Sequence, residues 1–328
     1  MNVLVTGGGG FLGSAIVHSL VKRGDFVRIL ARGEYPQLAA LGVETIRGDI
    51  VDAAATAKAC AGIDVVFHTA AKAGGWGDKK EFEAINITGT DNVVEGCRAA
   101  QVKALVHTSS PSVCHQHADV EGANESLPYA TDFTADYPRT KAISEQRALA
   151  SGLNVVALRP HFIWGPGDRH LLPRLLSRAR AGKLRQVGHR DVKSDTIYID
   201  NCVDAHLLAA AKLLETTALQ GKAYFISDDA PIGVWTMANR MLKAAGAPGV
   251  GKPVPAWLAY LLGATLEAVH ATFGIEKEPM MTRFGASELS HAQWYSIAAA
   301  KRDFGYSAKV SIEEGLQRLE IWCRENEK

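Results

Sequence analysis

The residue types with the clearest chemical potential are Tyr137 and Lys141, in Tyr137-Pro138-Arg139-Thr140-Lys141. Of the eight tyrosines, only this one is followed by a lysine four positions on. On a helix that spacing is about one turn, so the ammonium is expected beside the phenol. A positive charge there favours phenolate and lowers the tyrosine pKa from its usual value of about 10. Such a phenol can donate a proton to a developing alkoxide. Pro138 suits the first helical position, which places Tyr137 on a non-helical cap. Upstream, the apolar run Ala104–Thr108 ends in Ser109-Ser110-Pro111-Ser112-Val113. A serine hydroxyl at such a strand end can hydrogen-bond a substrate oxygen as it gains charge.

A second chemical element lies at the start of the chain, in Thr6-Gly7-Gly8-Gly9-Gly10-Phe11-Leu12-Gly13. It follows an apolar β-branched run and opens a helical pattern. Gly7 permits a tight turn, Gly10 lets backbone approach a pyrophosphate, and Gly13 allows close helix–strand packing. The N–H groups and dipole of the helix N-terminus then favour phosphate. A site for NAD would carry a carboxylate at the end of the second strand. That end here reads Leu30-Ala31-Arg32. Arg32 can pair with a 2′-phosphate, so NADP(H) is the expected cofactor and NAD(H) the alternative.

These groups need a scaffold. Apolar runs recur at Val3–Val5, Phe26–Leu30, Val43–Ile46, Val65–His68, Ala104–Thr108 and Val155–Leu158, with helical patterns between them, such as Glu81–Ala100 and Pro138–Ala150. Continuous apolar strands are buried on both faces, which predicts an α/β fold of the Rossmann type, a doubly wound parallel sheet covered by helices. After Pro160 turn signals cluster, and a smaller, mostly C-terminal substrate region is expected. The division reads as 1–163 with 191–227 for the dinucleotide domain, and 164–190 with 228–328 for the substrate region.

The 328 residues carry 36 Lys+Arg against 35 Asp+Glu, a net charge of +1. That balance excludes a polyanion binder, so no nucleic-acid partner is expected. Five scattered cysteines without a CxxC pair fit reduced thiols in a cytoplasmic setting, and the N-terminus reads as no signal peptide. Val254–Leu266 has no charge, but a membrane span needs about 20 residues. Leu258, Leu262, Leu266, Val269 and Phe273 fall at helical spacing. They predict an amphipathic helix over the substrate pocket, with peripheral membrane contact as the alternative. Arg178, Arg180, Lys183 and Arg185 read as a solvated helix face. Cys114-His115-Gln116-His117 lacks further ligands nearby, so no metal is expected.

Taken together, the motifs resemble the extended short-chain dehydrogenases/reductases of the 3β-hydroxysteroid dehydrogenase/epimerase type. The resemblance rests on the glycine loop, Gly48-Asp49-Ile50, His68-Thr69-Ala70-Ala71, Asn86-Ile87-Thr88-Gly89-Thr90, Ser109–Val113, Tyr137–Lys141 and Arg159-Pro160 with Gly165-Pro166-Gly167. Ile163–Asp168 with His170–Arg174, and Trp294–Ser296, are similar to blocks of the bacterial 2-alkyl-3-oxoalkanoate reductases. The resemblance implies Tyr137 as acid/base, Lys141 as its electrostatic partner and ribose ligand, and Ser110 as the carbonyl-orienting hydroxyl. It further implies cofactor contacts from Gly7, Gly10, Phe11, Leu12, Gly13, Asp49, Ile50, Thr69, Ala70, Ala71, Pro160 and Ile163. Ser112, His115, His161 and Trp164 are candidate substrate contacts. The implied activity is NADPH-dependent reduction of a hydrophobic ketone, such as a 2-alkyl-3-oxoalkanoate, to the 3-hydroxy acid. The alternatives are a 3β-hydroxysteroid or sterol-type dehydrogenase, a nucleotide-sugar epimerase, and a catalytically silent NADP-binding module. A homodimer and assembly with other pathway enzymes are also implied.

Overall fold

Seven parallel strands form the central sheet of the computed structural model, which describes residues 1–115 and 117–326. Across the sheet the order is Lys222–Ile226, Val155–Pro160, Ala104–Thr108, Val65–His68, Asn2–Thr6, Phe26–Ala31 and Glu44–Arg47. The chain winds outward from Asn2–Thr6, then returns to Val65–His68 on the other side and winds the opposite way. The order therefore reverses between Thr6 and His68, which are register partners. At such a switch point the carboxyl ends of neighbouring strands diverge, and a ligand crevice forms there. The expected doubly wound α/β fold is observed.

Pleating sends alternate residues of one strand into two cores. Val3 and Val5 face the helices Phe11–Arg23 and Ile199–Glu215 with Ile16, Leu20, Ala205 and Leu213. Leu4 faces the other layer with Cys60, Val93, Cys97 and Ala148. Each fully buried aliphatic side chain contributes about 1.5–3 kcal/mol, which is why these strands carry apolar residues on both faces. All five cysteines are buried thiols.

The helix expected over Glu81–Ala100 is interrupted. A short α-turn, Lys79–Phe82, leads into a π-helical segment, Glu83–Thr88, before Gly89–Ala99 resumes α-helix. The widened turn frees Asn86 for work outside its own helix. Its side chain accepts from Lys72 N at 2.8 Å and donates to Lys72 O at 3.0 Å and Thr140 Oγ1 at 2.9 Å. Asn86 thereby ties the loop after Val65–His68 to the helix carrying Tyr137 and Lys141.

A second sheet joins Ile232–Gly233, Lys193–Ser194, Gln293–Tyr295 and Val120–Ala123. Beside it, the helices Leu171–Arg180, Val234–Ala244 and Ala256–Thr272 surround an apolar cavity of about 470 Å³. The helix Ala256–Thr272 differs from its expectation. Ala259, Gly263 and Glu267 face inward, while Leu258, Leu262, Val269 and Phe273 are exposed. Gly263 explains the choice: a Cβ there would stand 2.6 Å from the Thr282 carbonyl carbon, so only glycine permits this approach. Glu267 is drawn in by Arg283, accepting from its N at 2.7 Å and its Nε at 2.6 Å. The helix still walls the cavity, through Leu258, Ala259 and Leu262. No helix among the described residues is long and apolar enough to cross a membrane.

The basic stretch is likewise not a simple solvated face. Arg178, Lys183 and Arg185 line the cavity together with Arg174. Arg178 donates to Met280 O at 2.9 Å, and burial with the neighbouring Arg174 charge holds its pKa below the usual arginine range.

Candidate active site

The glycine loop caps the helix Phe11–Arg23. Gly7 has φ +70°, in the left-handed region that glycine adopts freely, and Gly10 N donates to Gly7 O at 2.8 Å. A Cβ at Gly13 would stand 2.2 Å from Gly7 O, and one at Gly7 2.9 Å from the Ala70 backbone. The loop is thus closed against the loop following Val65–His68. The Thr69 hydroxyl donates to Thr6 O at 2.8 Å, and Ala70 N to Thr6 Oγ1 at 3.4 Å. Phe11 and Leu12 begin the helix, and Ala71 is exposed at the crevice edge. This cradle of backbone at a helix N-terminus fits the pyrophosphate of a dinucleotide.

At the far end of the cradle, the Asp49 side chain accepts from Val51 N at 3.1 Å, and Ile50 is buried against Gly89. Arg32 lies 71% exposed with its guanidinium 3.9 Å from Asp49 Oδ2. Two contacts were not legible in the sequence. The Tyr35 ring lies against Gly9, where a Cβ would be 1.9 Å from its Cζ. Arg169 reaches back from the substrate side to Gly9 O at 3.5 Å.

Tyr137 lies in the first turn of the helix Asp136–Leu149, whose N-cap is Ala135. It is therefore helical rather than a cap. Asp136 occupies the first helical position and binds Arg139 there at 2.7 Å, where a carboxylate complements the helix dipole. The Ser110 hydroxyl acts on the Tyr137 phenol, pulling its pKa down against the effect of burial. It also meets Ser112 Oγ at 2.9 Å, while Ser109 Oγ is buried with no hydrogen-bond partner among the described residues.

Lys141 departs from its expected role. Its ammonium donates to Thr108 O at 2.7 Å and lies 3.4 Å from His107 Nε2. The phenol's pKa is raised, not lowered: burial pushes it up, the Ser110 hydroxyl pulls it down, and the Glu288 charge pushes it further up. Burial pushes Lys141 itself down to about 8, opposed by Glu145. Beneath it, His107 and His68 are held neutral, first by burial and then by the lysine charge, His68 at about 3. His68 bridges Thr6 Oγ1 at 2.7 Å and Thr90 Oγ1 at 3.0 Å.

Because the lysine loses its charge through about pH 8, kcat/KM is expected to fall as pH rises above that value. Lys141→Arg, charged throughout, should remove this alkaline limb from a pH–rate profile. An unchanged limb would assign it to another group. Stability runs the other way. Unfolded lysine stays protonated to about 10.4. The cost of burying the ammonium is therefore full below pH 8 and relieved between there and about 10.4.

Two of the four substrate candidates, His115 and His161, meet at Glu288, while Ser112 stays with Ser110 and Trp164 lies against Tyr198. His115 Nε2 lies 3.0 Å from Ser287 Oγ and 3.8 Å from Glu288 Oε1; His161 Nε2 lies 3.8 Å from Glu288 Oε2. His161 stacks on Phe162 with ring centroids 4.2 Å apart, and its Nδ1 reaches Ser194 Oγ at 3.3 Å. Burial pushes Glu288 up, but the nearby His161 and His115 imidazoles outweigh it and hold its pKa below the usual carboxylate value. Glu288 and Ser287, from the end of the helix Arg283–Glu288, carry no sequence motif that could have announced them. Trp164 is buried against Tyr198 at 5.1 Å and reaches the cavity wall. Pro160 ends its strand, and Ile163 pairs with Ile197. His117 shares the Ser287 hydroxyl at 3.0 Å, yet no group of three or more His, Cys, Asp or Glu among the described residues is arranged to hold a metal ion.

With a glycine cradle at the switch point of its parallel sheet, and Ser110, Tyr137 and Lys141 beside the end of the strand Ala104–Thr108, the chain is an oxidoreductase of the extended short-chain dehydrogenase/reductase class, acting on CH–OH/C=O groups. The profile of the 3-beta hydroxysteroid dehydrogenase/isomerase family matches residues 4–253, and the chain belongs to that family. It is 49% identical over 324 residues to a 2-alkyl-3-oxoalkanoate reductase of Stenotrophomonas maltophilia, covering 97% of this chain and 98% of that one. A 2-alkyl-3-oxoalkanoate reductase of Shewanella oneidensis is 48% identical, covering 97% and 85%. Among solved structures, UDP-glucuronic acid 4-epimerase from Bacillus cereus, in complex with NAD, shares the fold. The TM-score is 0.75 at 22% identity, with 100% of both chains covered.

Proposed function

We propose that the protein is an NADPH-dependent ketoreductase that converts a 2-alkyl-3-oxoalkanoate to the 3-hydroxy acid. The observation that carries the substrate reading is the apolar cavity of about 470 Å³ beside Tyr137's surroundings. It begins at Phe162, Trp164 and Ser194, next to His161, and at Leu289, next to Glu288. Alkyl chains gain about 0.8 kcal/mol per buried methylene there. The near full-length relatives of that name support the same substrate.

A bound nicotinamide supplies the hydride; the protein supplies position and proton. Gly7, Gly10 and Gly13 hold the pyrophosphate, and Asp49 and Ile50 border the adenosine end. Arg32 takes the 2′-phosphate, its exposed guanidinium leaving Asp49 for the stronger dianion. Lys141 reaches the nicotinamide ribose. Ser110 holds the ketone oxygen, and Tyr137 gives its proton as that oxygen gains charge. The raised phenol pKa keeps Tyr137 protonated, the form a donor needs for reduction.

The test is NADPH oxidation with 2-alkyl-3-oxo acids, 3-ketosteroids and UDP-sugars offered in parallel. Turnover confined to the oxo acids is expected, and preference for either other class overturns the substrate. Arg32→Ala should raise KM for NADPH about tenfold, the loss of one charge-assisted phosphate pair, and leave KM for NADH unchanged. Equal effects on both cofactors would remove Arg32 from the 2′-phosphate site.

A further inference from the structure

We infer that the protein docks on an anionic lipid surface through the outer face of the helix Ala256–Thr272, so that its apolar cavity opens toward the lipid. Trp257 is 67% exposed, Leu261 54% and Phe273 75%. Leu258, Leu262 and Val269 extend the same face, and Ile275 and Met280, just beyond the helix, are exposed as well. Single exposed leucines are ordinary, but a continuous face of this kind marks an interaction surface. The helix's one carboxylate, Glu267, is turned inward onto Arg283. Trp257 and Tyr260 at its N-terminal end are the residue types that settle at a lipid–water boundary.

Two further observations select the partner. First, Leu258 and Leu262 are exposed and also wall the cavity. A protein seated there would cap it, whereas lipid leaves it open to acyl chains. Second, the polar residues of the cavity lining include Arg174, Arg178, Lys183 and Arg185 and no carboxylate. Nearby, Glu278 pairs with Arg174 at 2.7 Å, and Glu276 and Lys277 offset one another. An apolar helix flanked by a basic rim suits anionic headgroups over a hydrocarbon interior. The reading extends the proposed function, because a substrate with two alkyl chains partitions into lipid and must be collected from it.

The test uses the full chain with vesicles of phosphatidylcholine alone or mixed with phosphatidylglycerol. Co-sedimentation with the mixed vesicles, weakened by high salt, is expected. Leu261→Glu combined with Phe273→Glu should weaken it roughly a hundredfold, two large side chains being withdrawn from lipid. Lys183→Glu with Arg185→Glu should abolish the preference for the anionic mixture. The Leu261/Phe273 variant should reduce a short, water-soluble 3-oxo ester at the wild-type rate without vesicles. Wild-type protein left in the supernatant overturns the inference, as does vesicle binding unchanged in that variant. A dimer in light scattering that Leu261→Glu dissolves would instead assign the face to a second copy. Loss of the short-ester reaction in wild type sinks the ketoreductase reading and leaves the docking result standing.

Discussion

Replacing Tyr137 by phenylalanine is expected to lower kcat for ketone reduction by about 10³-fold, within the range a positioned proton donor supplies. The change keeps the ring and its packing and removes only the hydroxyl on which Ser110 acts. The cofactor cradle lies elsewhere, on Gly7, Gly10 and Gly13 of the first βα turn. Binding of NADPH, followed by fluorescence titration, should therefore change by less than about twofold, the size of a lost peripheral contact. Single-turnover loss of NADPH absorbance separates chemistry from product release. A variant that keeps a tenth or more of the wild-type single-turnover rate would show that another group delivers the proton. The next candidate would then be the Glu288–His161 pair, 3.8 Å apart.

The second large effect concerns folding. Arg159 donates to Glu145 through Nη2 at 2.5 Å and Nε at 3.1 Å, and both side chains are buried. Tyr129 donates its hydroxyl to the same carboxylate at 2.6 Å, and the guanidinium packs over Phe225, 5.0 Å from its ring centroid. Arg159→Met keeps much of the volume but strands the Glu145 charge out of water. Removing one partner of a buried pair costs about 3–5 kcal/mol. The midpoint of urea denaturation should fall accordingly, with the slope unchanged. Adding Glu145→Gln should recover part of that loss, because the second change removes the uncompensated charge and the pair is coupled. A single variant as stable as wild type would mean that water or a neighbour satisfies the carboxylate. Since Glu145 lies one turn beyond Lys141 on the catalytic helix, the pair also anchors the site to the sheet.

Legibility followed range along the chain. The glycine cradle was readable because its demands are local: a left-handed turn at Gly7 and a close approach at Gly13 admit no other residue. The helix Asp136–Leu149 was readable in type and nearly in extent, although Asp136 rather than Pro138 begins it. The wall of the site contributed by Ser287 and Glu288 was not readable, since nothing in their neighbourhood sets them apart from a turn. The inward face of Ala256–Thr272 was not readable either, because hydrophobic spacing alone places the large side chains inward. Close packing instead turned the smallest residues in, and the Glu267–Arg283 ion pair settled the rotation.

The amino-acid order alone settled the parallel sheet, the phosphate cradle at its first turn and the one-turn spacing of Tyr137 and Lys141. Backbone sterics, apolar periodicity and helical geometry act over a few residues and can be read in any window. Only the assembled chain decided that the Lys141 ammonium goes to the Thr108 carbonyl and that Glu288 comes to bear on the phenol. It also decided that the most apolar helix turns its large side chains outward. Those outcomes depend on which distant groups compete for the same donor, the same charge or the same space. That competition exists only after the layers have packed.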